Sequence, residues 1–154
     1  MIHEMHIAFE KSYRKILKDG SGYHVRRYDI KRKLILPKDI ILLRCSQRWD
    51  EERDNLETVP VVVDSIHIFR SLDDLFGEIP PRECGFNAST SVQTAVSQIK
   101  DYYRDDESEL PAPCVAAFRF HVLERFSSDE LDLLEHRFQE EKRRNNYRYV
   151  IDCR

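Results

Sequence analysis

Tyr23-His24-Val25-Arg26-Arg27-Tyr28-Asp29-Ile30-Lys31-Arg32-Lys33 is the stretch from which this fold is read. Five of these eleven residues are permanently basic and one is acidic. The first six alternate in the manner of a strand. His24, Arg26 and Tyr28 then point to one side together, and Arg27 to the other. A strand that turns arginine, histidine and tyrosine the same way suits an anion or nucleotide surface better than an ordinary core.

Upstream, His3 to Ala8 has the pattern of a short strand. Phe9, Tyr13, Ile16 and Leu17 recur at helical spacing, which predicts an amphipathic helix from Phe9 to Lys18. Asp19-Gly20-Ser21-Gly22 ends it with turn chemistry. Downstream, Pro37-Lys38-Asp39 leads into Ile40-Ile41-Leu42-Leu43, an apolar run of the kind buried on both faces. Arg48 to Glu57 reads as a charged hairpin connection, and Val59 to Phe69 as a long β-branched strand. Ser71 with Asp74, and Ser127 with Glu130, have the spacing of helix N-caps. Val92, Ala95, Val96, Ile99, Tyr102 and Tyr103 set a helix within Ser89 to Tyr103. Ala116, Phe118, Phe120 and Val122 alternate with Arg119 and His121 in another strand. Leu131, Leu134 and Phe138 mark a helix that runs to the basic Lys142-Arg143-Arg144, and Tyr147 to Ile151 is a candidate last strand. Strands, irregular crossovers and helices in this order predict an α+β domain with a mixed or closed sheet.

Charged residues make up 34% of the chain and hydrophobic ones 41%, a globular balance. Charge is unevenly spread. Lys11 to Lys33 holds nine basic and two acidic residues, whereas Asp50 to Glu83 holds three basic and ten acidic. Such asymmetry marks either a polyanion-binding face opposite an acidic one or plain solvated surface. Four glycines argue against a glycine-rich phosphate cradle. Cys45, Cys84, Cys114 and Cys153 are too scattered for a metal knuckle or a redox pair, so reduced thiols, a cytoplasmic setting and no metal are expected. No cofactor is expected. The first residues lack the basic start and apolar stretch of a signal peptide, and no apolar run is long enough for a bilayer.

The order of elements resembles the ASCH domain family of the PUA-like β-barrels. His3-Glu4-Met5-His6 resembles its opening strand, and Tyr23-His24-Val25-Arg26 its Tyr-Glu-x-Arg. Asp29 to Arg32 resembles its Asp-Glu-Lys-Arg run, and Lys38-Asp39 takes the place of Gly-Asp. Phe69-Arg70-Ser71-Leu72-Asp73-Asp74-Leu75, Cys84-Gly85-Phe86, Tyr102-Tyr103 and Val115-Ala116-Ala117-Phe118 continue the match in order. The resemblance implies a mixed barrel of about five to six strands flanked by two to four helices. It implies an ASCH-like domain over 1–124, with 125–154 as a C-terminal helix and candidate strand packed on it. Where some small bacterial members carry the lysine and threonine of an amidohydrolase, this chain has Ser21 and His24. That substitution favours binding over hydrolysis.

The resemblance also implies a cleft between barrel and helices, and Arg26 is its first candidate. A guanidinium offers a planar, always-charged fork for phosphate or a base edge. The structural alternative is an ion pair between Arg26 and Glu4, with Glu4 as a supporting residue. Lys31, Arg32 and Lys33 reach phosphates from a loop, or are simply solvated. Tyr28, with Tyr102 and Tyr103 in support, can stack on unpaired bases, although the two helix tyrosines also fit a core. Arg119 extends the basic set. His24 is the candidate general acid or base, with His3 and His121 as other imidazoles. The expected function is RNA or nucleotide binding through Arg26 and the 31–33 loop. The alternatives are a hydrolase of acetylated cytidine-type nucleosides or of RNA, and a protein-interaction module using the acidic 50–83 stretch or the C-terminal helix.

Overall fold

A computed structural model of the chain describes residues 1–7, 10–28, 32–45, 57–102, 114–123 and 127–152. Most of the expected hairpin connection from Arg48 to Glu57, together with Lys31 and Tyr103, lies outside them. The elements are β1 (Ile2–Ile7), α1 (Glu10–Asp19), β2 (Ser21–Arg27), β3 (Ile40–Cys45), β4 (Glu57–Phe69), α2 (Leu72–Glu78), α3 (Val92–Tyr102), β5 (Val115–Val122) and α4 (Ser128–Asp152). Short 3-10 turns occupy Arg32–Leu34 and Pro81–Cys84.

The strands form one sheet in the order β1-β3-β4-β5-β2. β1 and β3 run parallel, with His3 opposite Ile41; the other neighbours are antiparallel. The sheet curls into a half-barrel, the α+β, PUA-like arrangement that the sequence predicts. Its concave side holds Met5, Ile7, Ile41, Leu43, Val61, Phe118 and Phe120. On the outer side, α2 and α3 cover Val25 and Ala117, while α4 sets Leu134 and Phe138 on Ile2 and Leu42. Ile41, Leu42 and Leu43 are 0%, 0% and 1% exposed, so the apolar run is buried on both faces as expected. Each such side chain contributes about 1.5–3 kcal/mol through its removal from water.

The caps also form. The Ser71 hydroxyl accepts from Asp74 N–H at 3.1 Å, and the Ser127 hydroxyl from Glu130 N–H at 3.2 Å. One expectation is corrected: Tyr147 to Ile151 is not a strand, because α4 continues to Asp152. No glycine or proline follows Ser127 to stop the helix, and extension after nucleation fixes one residue per hydrogen bond gained. Among the described residues no helix is long and apolar enough to cross a membrane.

Candidate functional site

β1 and β2 stand at opposite ends of the strand order, yet residues of both line one cleft of about 290 Å³. β1 contributes His3, Glu4, Met5 and His6, and β2 contributes Arg26. Arg32, Leu34 and Ile35 come from the turn after β2, and Phe138 and Lys142 from α4. Edge strands keep one row of backbone groups unpaired by the sheet, so a curled sheet that stops short of closure leaves a slot between them. The volume is at the small end for ligand pockets.

The alternation read from the sequence holds in β2. His24 lies opposite Phe118 and Arg26 opposite Ala116, so both turn to the concave side with the core. His24 is 2% exposed and Arg26 8%. Burial pushes the His24 pKa well below the usual imidazole range, and the charges of Arg26 and Arg32 push it further. His24 is therefore a neutral imidazole beside two guanidinium groups, and it lies outside the lining of the cleft. Tyr28 packs partly against the concave core, and the Lys33 ammonium sits 5.8 Å from its ring centroid.

Glu4 does not neutralise Arg26. Arg44 Nε donates to Glu4 Oε2 at 2.8 Å, and its two terminal nitrogens donate to Glu135 at 2.6 and 2.9 Å. Burial raises the Glu4 pKa, but the Arg44 hydrogen bond and charge outweigh it and hold the carboxyl below its usual value. Lys142 approaches the other Glu4 oxygen only to 4.0 Å.

His3 forms a second polar unit at the cleft. Its Nε2 is 2.9 Å from Asp39 Oδ2, which also accepts from Leu36 N–H at 3.0 Å. Burial raises the Asp39 pKa, but these bonds and the Met1 amine reverse the shift and keep Asp39 ionised. Asp39 follows Lys38, whose φ of 74° is the left-handed conformation that glycine adopts most easily. A glycine is what the ASCH-like motif has at that point. Two backbone bonds fix the turn: Lys38 N–H to Val63 at 2.7 Å and Val63 N–H to the Asp39 carbonyl at 2.9 Å.

Arg119 is not brought to this cleft. It lies opposite Tyr23 and Ser65 on the outer face, with its guanidinium 5.7 Å from the Tyr23 ring centroid. Tyr102 is the last residue of α3. His121 pairs instead with Asp64, again on the outer face. Sequence reasoning missed Arg44 and Asp39. The one signal for Arg44 was an arginine closing an apolar strand run; for Asp39 it was the Gly-Asp position itself. Among the described residues no group of three or more His, Cys, Asp or Glu side chains is placed to hold a metal ion.

The fold has counterparts among solved structures. The hypothetical protein PH0355 superposes with a TM-score of 0.58 at 22% identity, over 80% of this chain and 100% of that one. The solution structure of PF0455 from Pyrococcus furiosus gives 0.52 at 23% identity, over 81% and 100%. An ASCH domain is also among the matches. It comes from Lactobacillus crispatus JV V101, with a TM-score of 0.43 and 9% identity over 79% of each chain. These likenesses concern the fold. No protein-family model matches the chain, and no curated protein matches it.

Proposed function

We propose that this chain binds RNA, or a nucleotide derived from it, in the cleft between β1 and β2. The observation that carries this is the convergence of Arg26, Arg32 and Lys142 on one small cleft whose lining carboxylate, Glu4, is already engaged by Arg44. Phosphate affinity is mainly Coulombic, and guanidinium forks add hydrogen-bond geometry. The ASCH-like sequence pattern supports the same ligand class. Free thiols at Cys84 and Cys114 fit a reducing cytoplasm.

The test is fluorescence anisotropy with labelled single-stranded RNA across a salt series. Three phosphate-directed cations give a slope of log K against log salt near −2, taking roughly −0.7 per contact on single strands. Arg26→Ala and Arg32→Ala each weaken binding at least tenfold while circular dichroism stays native. Undiminished binding by both variants overturns the proposal.

A second function has one observation in its favour. The Asp39–His3 pair is an oriented imidazole lining the same cleft, the arrangement used for general base catalysis. If the chain is a hydrolase of RNA or of acetylated nucleosides, turnover falls in His3→Ala and in Asp39→Asn, and His24→Ala acts only through folding. Turnover lost solely in a folded His24→Ala would restore His24 as the base.

A further inference from the structure

α4 is more than a cover over β1 and β3. Phe138, 6% exposed, packs on Ile2 and Leu42, and its ring has Arg44 at 5.8 Å and Lys142 at 5.7 Å from the centroid. A ring flanked by two cations is not a platform for a base; it is a seat for the lysine. The helix itself is tied down by Arg44 to Glu135 and by Ile2 N–H to Glu141 Oε2 at 2.7 Å. Lys142 is thus delivered to the cleft wall by a fixed helix.

Its present partner is weak. Glu4 takes its short bond from Arg44 at 2.8 Å, and Lys142 stands at 4.0 Å, the outer limit of an ion pair, with a half-exposed side chain. An incoming anion can draw the Lys142 ammonium away from Glu4 without breaking a short hydrogen bond. The permanent cations lining the cleft are Arg26, Arg32 and Lys142, and the short bond of its lining carboxylate, Glu4, goes to Arg44. An internal phosphodiester carries one negative charge. A phosphate monoester carries about −1.5 to −2 at neutral pH.

We infer that the cleft selects a nucleotide with a terminal phosphate monoester, and that Lys142 of α4 is the residue that sets this preference. The inference rests on the proposed function and narrows its ligand class. Two sources share the chemistry: a free mononucleotide and the phosphorylated end of an RNA.

Isothermal titration of the full chain separates the outcomes. The probes are nucleoside 5′-monophosphates, the matching nucleosides, and one short RNA carrying either a 5′-phosphate or a 5′-hydroxyl. The monophosphates bind at least tenfold tighter than the nucleosides, and Lys142→Met removes most of that difference, whereas Lys142→Arg keeps it. A gain from the RNA's 5′-phosphate points to RNA ends as the source; a preference confined to the mononucleotides points to free nucleotide. Equal affinity for phosphorylated and unphosphorylated probes, or an unchanged preference in Lys142→Met, overturns the inference. RNA binding that needs Arg26 but ignores Lys142 and the end phosphate leaves the proposed function standing alone. Failure of every probe to bind the unsubstituted chain overturns both.

Discussion

Arg44 holds Glu4 at 2.8 Å while it grips Glu135 with two further hydrogen bonds, so one guanidinium joins β1, β3 and α4. The side chain is 14% exposed, and Thr58 accepts a fourth bond at 3.1 Å. The Glu135 bonds, set against partial burial, raise the Arg44 pKa above its ordinary value. The charge of Glu4 is answered here, which leaves Arg26 to face the cleft without that carboxylate.

Removing that guanidinium strands two carboxylates in a half-buried setting. Arg44→Met should lower stability by about 2–4 kcal/mol, because breaking one side of a buried pair leaves uncompensated charge. Glu135→Gln should cost less, about 1 kcal/mol, since a neutral acceptor remains. Urea unfolding of the two variants checks the order. Equal and negligible losses would show that α4 is held without Arg44, by Leu134, Phe138 and the Glu141 bond to Ile2 N–H.

His24 makes stability depend on pH. Its folded pKa lies well below the unfolded value of 6.5, so near and below that value the unfolded chain binds the extra proton. The contribution is complete above 6.5 and is lost as pH falls toward the folded pKa, at up to about 1.4 kcal/mol per pH unit. Urea midpoints measured from pH 7.5 down to 5 should fall in the native sequence, with a shallower fall in His24→Gln. Parallel profiles would mean that the proton is taken up elsewhere.

Lys38 occupies a left-handed turn that disfavours a side chain by about 1–2 kcal/mol, partly offset by the greater unfolded-state freedom of glycine. Lys38→Gly should therefore stabilise the fold by about 0.5–1 kcal/mol. Lys38→Val should destabilise it, because a β-branched residue tolerates this φ least. Thermal melts of the pair give the sign; a destabilised Lys38→Gly would contradict the backbone account.

What the sequence disclosed was local. Ile40 to Leu43 declared a doubly buried strand through its unbroken apolar run, and Ser71 and Ser127 declared their helices through a hydroxyl placed three residues before the N–H it caps. The side shared by His24 and Arg26 followed from the period of a strand. The parallel pairing of β1 with β3, and the meeting of β1 and β2 at one cleft, arise from the curl of the whole sheet, which no short window contains. Tyr147 to Ile151 misled because its β-branched and aromatic residues suit a strand, whereas a helix already under way from Ser128 continues through them. Arg119 shared the basic character of Arg26 but stands on the opposite side of the sheet.

The hydrogen bond from Ile2 N–H to Glu141 has a consequence for solubility. A bare strand margin is a template on which a second molecule can add its own strand, the first step toward fibrils. Here a carboxylate from α4 occupies a donor at one margin, and α4 packs over the adjoining face of β1. Loss of the last helix would do two things at once: empty one wall of the pocket and uncover a sticky seam. A shortened form of this protein is then expected to aggregate before its loss of ligand could be measured.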